Sequence, residues 1–242
     1  MNCENCKDHI NESFCSTCGQ TVNLKRIDKH YVSHELSHLF HFEKGFFYNV
    51  KELLTRPGVT IKEFLTTSRT RHMKPIPFVI ITALFFTVVL NVTHANKVSE
   101  AGFIAQFGKS SYVSIIYTWM LGHHGYANLI EGVFIALSIK LFYRKFKYNI
   151  FEILILLCFV IGEGTLLLAI FTLFFGLMEA KVYQVILTII GLSYSSWALG
   201  EFFGGNKIWR YIKALFVSYL GLTLFTIAVV LVGISLDLIM KH

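Results

Sequence analysis

Charge is scarce in this chain. Over 242 residues, Asp, Glu, Lys and Arg together supply only 15%, against 54% hydrophobic residues and a mean hydropathy of +0.57. A soluble domain of this length needs more charged surface than that, so this class is excluded and lipid-facing helices are expected. An apolar run near the start is also missing. None occurs before residue 76, so no cleaved leader is expected and the amino terminus is expected to stay in the cytosol. No internal repeat is evident, which removes the usual sign of a carrier built from two matching halves. Cysteine is confined almost entirely to the first 18 residues, with Cys158 alone further on.

Beyond residue 75 the chain consists of long apolar runs at about 76–93, 125–143, 149–177, 182–203 and 211–238, each near or above the ~18 residues that cross a bilayer. The expected fold is an all-α integral membrane protein of about five transmembrane helices. A small cytosolic zinc ribbon at 1–22 and juxtamembrane amphipathic helices at 23–75 precede the helical domain at 76–242. Glu131 and Lys140 interrupt the second run toward its ends, where side chains reach the interface. The piece YVSIIYTWML, 112–121, is too short to cross and is expected as an interfacial or re-entrant helix with Tyr117 and Trp119 at headgroup depth.

The basic residues are distributed unevenly. With the amino terminus inside, 11 fall in residues 1–75, three in the loop after the second run (Arg144, Lys145, Lys147) and three after the fourth (Lys207, Arg210, Lys213). The outer segments hold Lys97, Lys109, Lys181 and Lys241, which places the carboxy terminus outside. The net charge of +7 is thereby explained by topology and by attraction to anionic inner-leaflet lipids, with no need for nucleic acid.

Cys3, Cys6, Cys15 and Cys18 form two Cys-x2-Cys pairs separated by eight residues, followed by Gly19. Two residues between thiolates let both sulfurs of a pair reach one tetrahedral zinc at roughly 2.3 Å. Gly19 suits the positive φ that turns backbone amides toward the sulfurs. Persistent disulfides are disfavoured in a reducing cytosol. Four thiolates would close the coordination sphere, so this zinc would be structural. Cys158, inside the third run, reads as a small apolar packing residue.

With FCSTCGQ at 14–20, Arg26-Ile27, a His-rich stretch, LLTRPG at 53–58 and an Arg-rich approach to a Pro-flanked first run, the chain resembles the bacterial membrane family catalogued as domain of unknown function 3667. The resemblance covers residues 1 to about 90 and extends to the later runs in general layout. It implies a multi-pass protein of the bacterial inner membrane with an amino-terminal zinc ribbon, and carries no activity.

His30, His34, His38 and His41 would share one helical stripe, and His34-Glu35-Leu36-Ser37-His38 spells HExxH. In zinc peptidases of that signature the two histidines hold the metal and the glutamate, here Glu35, is the base. A third ligand is not evident from spacing, although Glu52 and Glu63 are candidates. The segment reads first as an amphipathic helix, with a metal- or proton-sensing stripe and the peptidase as alternatives.

Further on, Pro57 and Gly58 are expected to break the chain. The following TIKEFLTTSRTRHMK would lie as a helix on the membrane surface, with Lys62, Arg69, Arg71 and Lys74 facing headgroups. Glu163 falls near the middle of the third run, where an ionised carboxylate costs roughly 2.5–3.5 kcal/mol. It is level with Ser193, Tyr194, Ser195 and Ser196 of the fourth run and with Thr223 or Thr226 of the fifth, a candidate intramembrane polar site. Gly162 and Gly164 would admit a close helix, and Lys140 could pair with Glu152.

Three functional classes follow. One is a non-enzymatic scaffold whose zinc ribbon recruits a cytosolic protein. Another is a small-solute, ion or lipid transporter using Glu163. The third is an HExxH metallopeptidase. A homo-oligomer is compatible with each.

Overall fold

The computed structural model describes Cys3, Cys6, Asp8 and residues 14–19, 45–206 and 208–240, with the backbone alone at Val98, Ser99 and Phe103. Among these residues the regular elements are helices, and five are long and apolar enough to cross a membrane. The chain order is α1 (Phe46–Thr55), α2 (Pro57–Thr66), α3 (Pro75–Thr93), α4 (Asn96–Phe107), α5 (Tyr112–Gly122), α6 (His124–Phe142), α7 (Ile150–Thr172), α8 (Ala180–Phe203) and α9 (Trp209–Met240). The architecture is that of a multi-pass membrane protein, with α3, α6, α7, α8 and α9 as the spans.

The bundle is organised around α7. Its most apolar stretch is 72% buried, against 22–50% for the other spans, because α3, α6 and α8 all pack on it. It begins with a capping box: Asn149 Oδ1 accepts the Glu152 N–H at 2.9 Å, and Glu152 Oε2 accepts the Asn149 N–H at 2.7 Å. Gly162 lets α3 lie close, since a Cβ there would sit 2.8 Å from the Phe78 ring. Lys140 Nζ donates to the Tyr148 carbonyl at 2.7 Å, so it supports the short loop between α6 and α7.

The long α9 runs diagonally. It meets α8 near the loop they share, crosses α6 where Gly221 abuts Ile135, and ends on α5 where Gly233 abuts Val113. Asp237 near its end fixes the start of α5: its Oδ2 accepts from Ser111 Oγ at 2.6 Å and its Oδ1 from the Tyr112 N–H at 3.1 Å. The short apolar helix expected at 112–121 is therefore present as Tyr112–Gly122 and held to a span. Helix α4 was not anticipated, because NKVSEAGFIAQF has no sustained apolar stripe.

Two expectations are corrected. The third span ends at Thr172 and not near 177, since the chain passes into a 3-10 turn at Phe175–Leu177. The segment after Pro57 and Gly58 does not form one surface helix from 60 to 74. Pro57 starts α2, its missing N–H being one that a first turn leaves unpaired anyway, and the helix stops at Thr66. Its apolar side, Ile61, Phe64 and Leu65, is buried against α7 and α8. Burying each such side chain gains about 2 kcal/mol over leaving it in water.

Candidate functional site

Helices α1 and α2 form a hairpin at the end of the bundle where α6 and α8 finish and α7 and α9 begin. This end, which also carries Arg56, Lys62, Arg144, Lys145, Arg210 and Lys213, is the basic face. Leu53 and Ile61 are wholly buried and Phe64 nearly so, with the Phe64 ring 5.1 Å from that of Phe159 on α7. Tyr194 Oη on α8 donates to the Leu53 carbonyl at the end of α1, at 3.3 Å. At Gly58 a Cβ would fall 2.4 Å from the backbone carbon of Glu201, so α2 touches α8 backbone to backbone.

One buried side chain ties the hairpin to the segment just before the first span. Asn49 is fully buried; its Nδ2 donates to the Met73 carbonyl and its Oδ1 accepts the Met73 N–H, both at 3.2 Å. The amide thus pairs with the chain just before α3 as a neighbouring strand would. His72 Nδ1 lies 3.2 Å from the same Asn49 Oδ1, while its Nε2, buried and 4.0 Å from Glu63 Oε2, has no hydrogen-bond partner among the described residues. Burial holds the His72 imidazole down to about 4, so it is neutral at pH 7. Glu52 and Glu63, the candidate third zinc ligands, are both engaged by Arg56, Glu63 at 3.5 Å.

At the amino terminus the four sulfurs converge. Cys3 and Cys18 Sγ are 3.6 Å apart, Cys6 and Cys15 Sγ 3.4 Å, and all four lie within 4.8 Å of one another. A tetrahedral zinc with bonds of about 2.3 Å needs sulfurs about 3.8 Å apart, so the set fits that ion. Gly19 has φ 71°, as its place after the second pair suggested, and its N–H donates to the Cys15 carbonyl at 2.8 Å. The Cys18 backbone N–H bonds the Cys15 sulfur and helps hold its thiol down to about 6. His30, His34, Glu35, His38 and His41 lie outside the described residues.

Within the spans, Glu163 is fully buried, and neither carboxylate oxygen has a hydrogen-bond partner among the described residues. Tyr194 is near it, across the seam where Gly164 faces the Tyr194 ring. The other members of the expected polar site are not brought to this seam. Ser193 is exposed, and Ser196 Oγ donates to the Tyr211 carbonyl at the start of α9, at 2.7 Å. Thr223 and Thr226 return their hydroxyls to carbonyls four residues back in α9. Cys158 is buried beside Ile76 and Val79, a packing residue as expected.

A second polar set, of which Ser195 alone was expected in a polar site, lies elsewhere. Helices α6, α7, α8 and α9 pack in a ring around a cavity of about 450 Å³, whose lining includes Asn128, Glu131, Thr165, Thr188, Ser195 and Ser218. Glu131 was expected near an interface but turns into this cavity, some 11 residues, about 17 Å, from the basic-face end of α6. Tyr117, expected at headgroup depth, also lines the cavity, while Trp119 is exposed. The signal available in the sequence was the i, i+3 pair Asn128 and Glu131 on one side of a mostly apolar helix.

The model of a protein family matches residues 43–87. Over that segment the chain is similar to a family of unknown function, described as Protein of unknown function (DUF3667). The match spans the hairpin, the Asn49 clasp and most of α3, and it agrees with the resemblance drawn from LLTRPG and the basic approach to the first span. No curated protein and no solved structure matches the chain.

Proposed function

We propose that the protein is a non-enzymatic membrane scaffold, in which a zinc-held amino-terminal element is presented on the cytosolic side of a five-helix anchor for a protein partner. The seating of α1–α2 carries this reading. The chain that follows the cysteine and histidine segments returns to the bundle as a clasped hairpin, buried at Leu53, Ile61 and Phe64 and bonded to α8 through Tyr194. An anchor built this way can transmit a load or a conformational bias from the basic face into α7 and α8. Cys3, Cys6, Cys15 and Cys18 would hold structural zinc, which supplies folding energy to a segment too small for its own core. Beside them Phe14 is 59% exposed, an apolar contact suited to a protein surface. The excess of Lys and Arg on the hairpin face supports a cytosolic amino terminus and contact with anionic inner-leaflet lipids, in a bacterial inner membrane if the family resemblance extends to source.

The test combines metal analysis with cross-linking. Purified full-length protein should carry one zinc per chain, retained in His34→Ala/His38→Ala and lost in Cys3→Ser/Cys6→Ser. A photo-cross-linking residue at exposed Thr17 should trap a discrete protein adduct in cells, absent from the cysteine variant although its bundle unfolds at the same temperature. An adduct and zinc content indifferent to the cysteines would sink the proposal. Two zincs per chain, with function lost in Glu35→Gln, would instead favour the peptidase reading. The unpartnered Glu163 favours transport as the second reading; there Glu163→Gln would abolish function while the cysteine variant only lowered protein level.

A further inference from the structure

We infer that the cavity enclosed by α6, α7, α8 and α9 is a binding site for a small organic cation, a primary alkylammonium with an apolar body, and that Glu131 is its counter-ion. The cavity is independent of the zinc element and of Glu163, which does not line it. Its volume, about 450 Å³, falls within the range of small-molecule sites. Most of its wall is apolar, with Leu157, Leu168, Leu187 and Leu222 among the residues that would receive a hydrocarbon or ring.

The polar groups set the sign and the shape of the ligand head. Glu131 is the single carboxylate of the lining, and no Lys, Arg or His accompanies it among the described residues. A carboxylate in a low-dielectric chamber without a counter-charge is stabilised by a bound cation more than it would be in water. Ser218 borders the cavity as well, but its Oγ is closed off from it and has no hydrogen-bond partner among the described residues. Asn128 spends its Nδ2 on Thr165 Oγ1 at 3.1 Å, which leaves its Oδ1 as an acceptor. Glu131 and Asn128, one helical turn apart on α6, therefore offer a carboxylate and an amide oxygen to the N–H donors of an ammonium.

Other cations fit less well. A divalent metal needs six to eight oxygens at about 2.3–2.6 Å, whereas this lining has one carboxylate and neutral groups dispersed over four helices. A quaternary ammonium has no N–H to donate and is usually held by an aromatic cage, whereas Tyr117 is the single aromatic residue of the lining. Among the lining residues Thr188 is exposed, about 12 Å along α8 from Ala180, and Tyr117 of α5 lines the cavity too, so its accessible part lies in the half of the bundle away from the basic face.

Titration of the full-length protein in lipid nanodiscs, with empty nanodiscs as blank, tests the assignment. Phenethylamine should bind saturably with one site per chain. The uncharged phenethyl alcohol and the quaternary phenethyltrimethylammonium should each bind at least about tenfold more weakly. Glu131→Gln should weaken phenethylamine by about tenfold or more. Equal binding of the amine and the alcohol would make the cavity merely apolar, and tighter binding of the quaternary ion would exclude the N–H acceptors; either overturns the inference. So does undiminished amine binding to Glu131→Gln, or uptake no greater than that of empty nanodiscs. The comparison of amine and alcohol on the unaltered protein decides the matter even if Glu131→Gln fails to fold.

Discussion

Replacing Gly58 by alanine sets two effects of opposite sign against each other. In an exposed helix the change removes glycine's backbone entropy penalty and stabilises by about 1 kcal/mol. Here the added methyl would lie 2.4 Å from the Glu201 backbone carbon, 2.5 Å from the Phe202 nitrogen and 2.7 Å from Glu201 Cβ. None of these is the free end of a flexible side chain, so α2 must lift from α8. Overpacking of this kind costs about 1–3 kcal/mol, and a contact made with backbone belongs at the upper end. The net effect is a loss of about 2 kcal/mol in hairpin docking, roughly a thirtyfold rise in the undocked population. Hydrogen exchange in nanodiscs at constant pH reads this directly. Amides of α1 and α2 should exchange roughly thirtyfold faster in Gly58→Ala while those in the middle of α7 keep their protection. Unchanged or slower exchange in the hairpin would show that α2 is not seated on α8, and the coupling argument for the scaffold would fall with it.

Asn49→Ala should remove both hydrogen bonds to Met73 and leave a buried N–H and carbonyl unpaired, costing about 2–3 kcal/mol of hairpin docking by the same exchange measurement. His72 makes docking sensitive to acid. Its folded pKa is depressed to about 4 from 6.5, so the undocked state binds the extra proton. Docking is fully stable above about pH 6.5 and weakens as pH falls, by about 2 kcal/mol at pH 5. Proteolysis of the hairpin at pH 7 and pH 5, referred to an unstructured control peptide, should show this loss, and His72→Gln should reduce the difference. Gly221→Val would force α9 away from α6, since a Cβ already meets Ile135 Cα at 2.6 Å. Thermal unfolding in detergent should reveal a destabilisation of about 1–3 kcal/mol.

Local chemistry was legible wherever it depends on spacing. The cysteine pairs converge, Gly19 takes its positive φ, and the apolar runs become spans because length and hydropathy suffice for a helix that satisfies its own backbone in lipid. Glu163 and Glu131 show where such reading stops. Both are acids in apolar helices at comparable depth, yet Glu163 is sealed on α7 while Glu131 faces an open chamber. Nothing in their immediate neighbours separates them; the difference comes from which spans pack on either side.

From its residues alone, the chain determined five crossings, a basic amino-terminal side, a four-cysteine cluster and similarity to a family of unknown function through its 43–87 segment. Tertiary packing decided that α2 enters the bundle and does not ride on its surface, because Gly58 permits backbone contact that amphipathicity cannot reveal. It also decided that Glu131, Asn128 and Ser218 share one cavity, because that requires α6 and α9 to meet and close a ring with α7 and α8. Hydropathy is a property of each helix taken singly, whereas a cavity and a wedge belong to the space between helices.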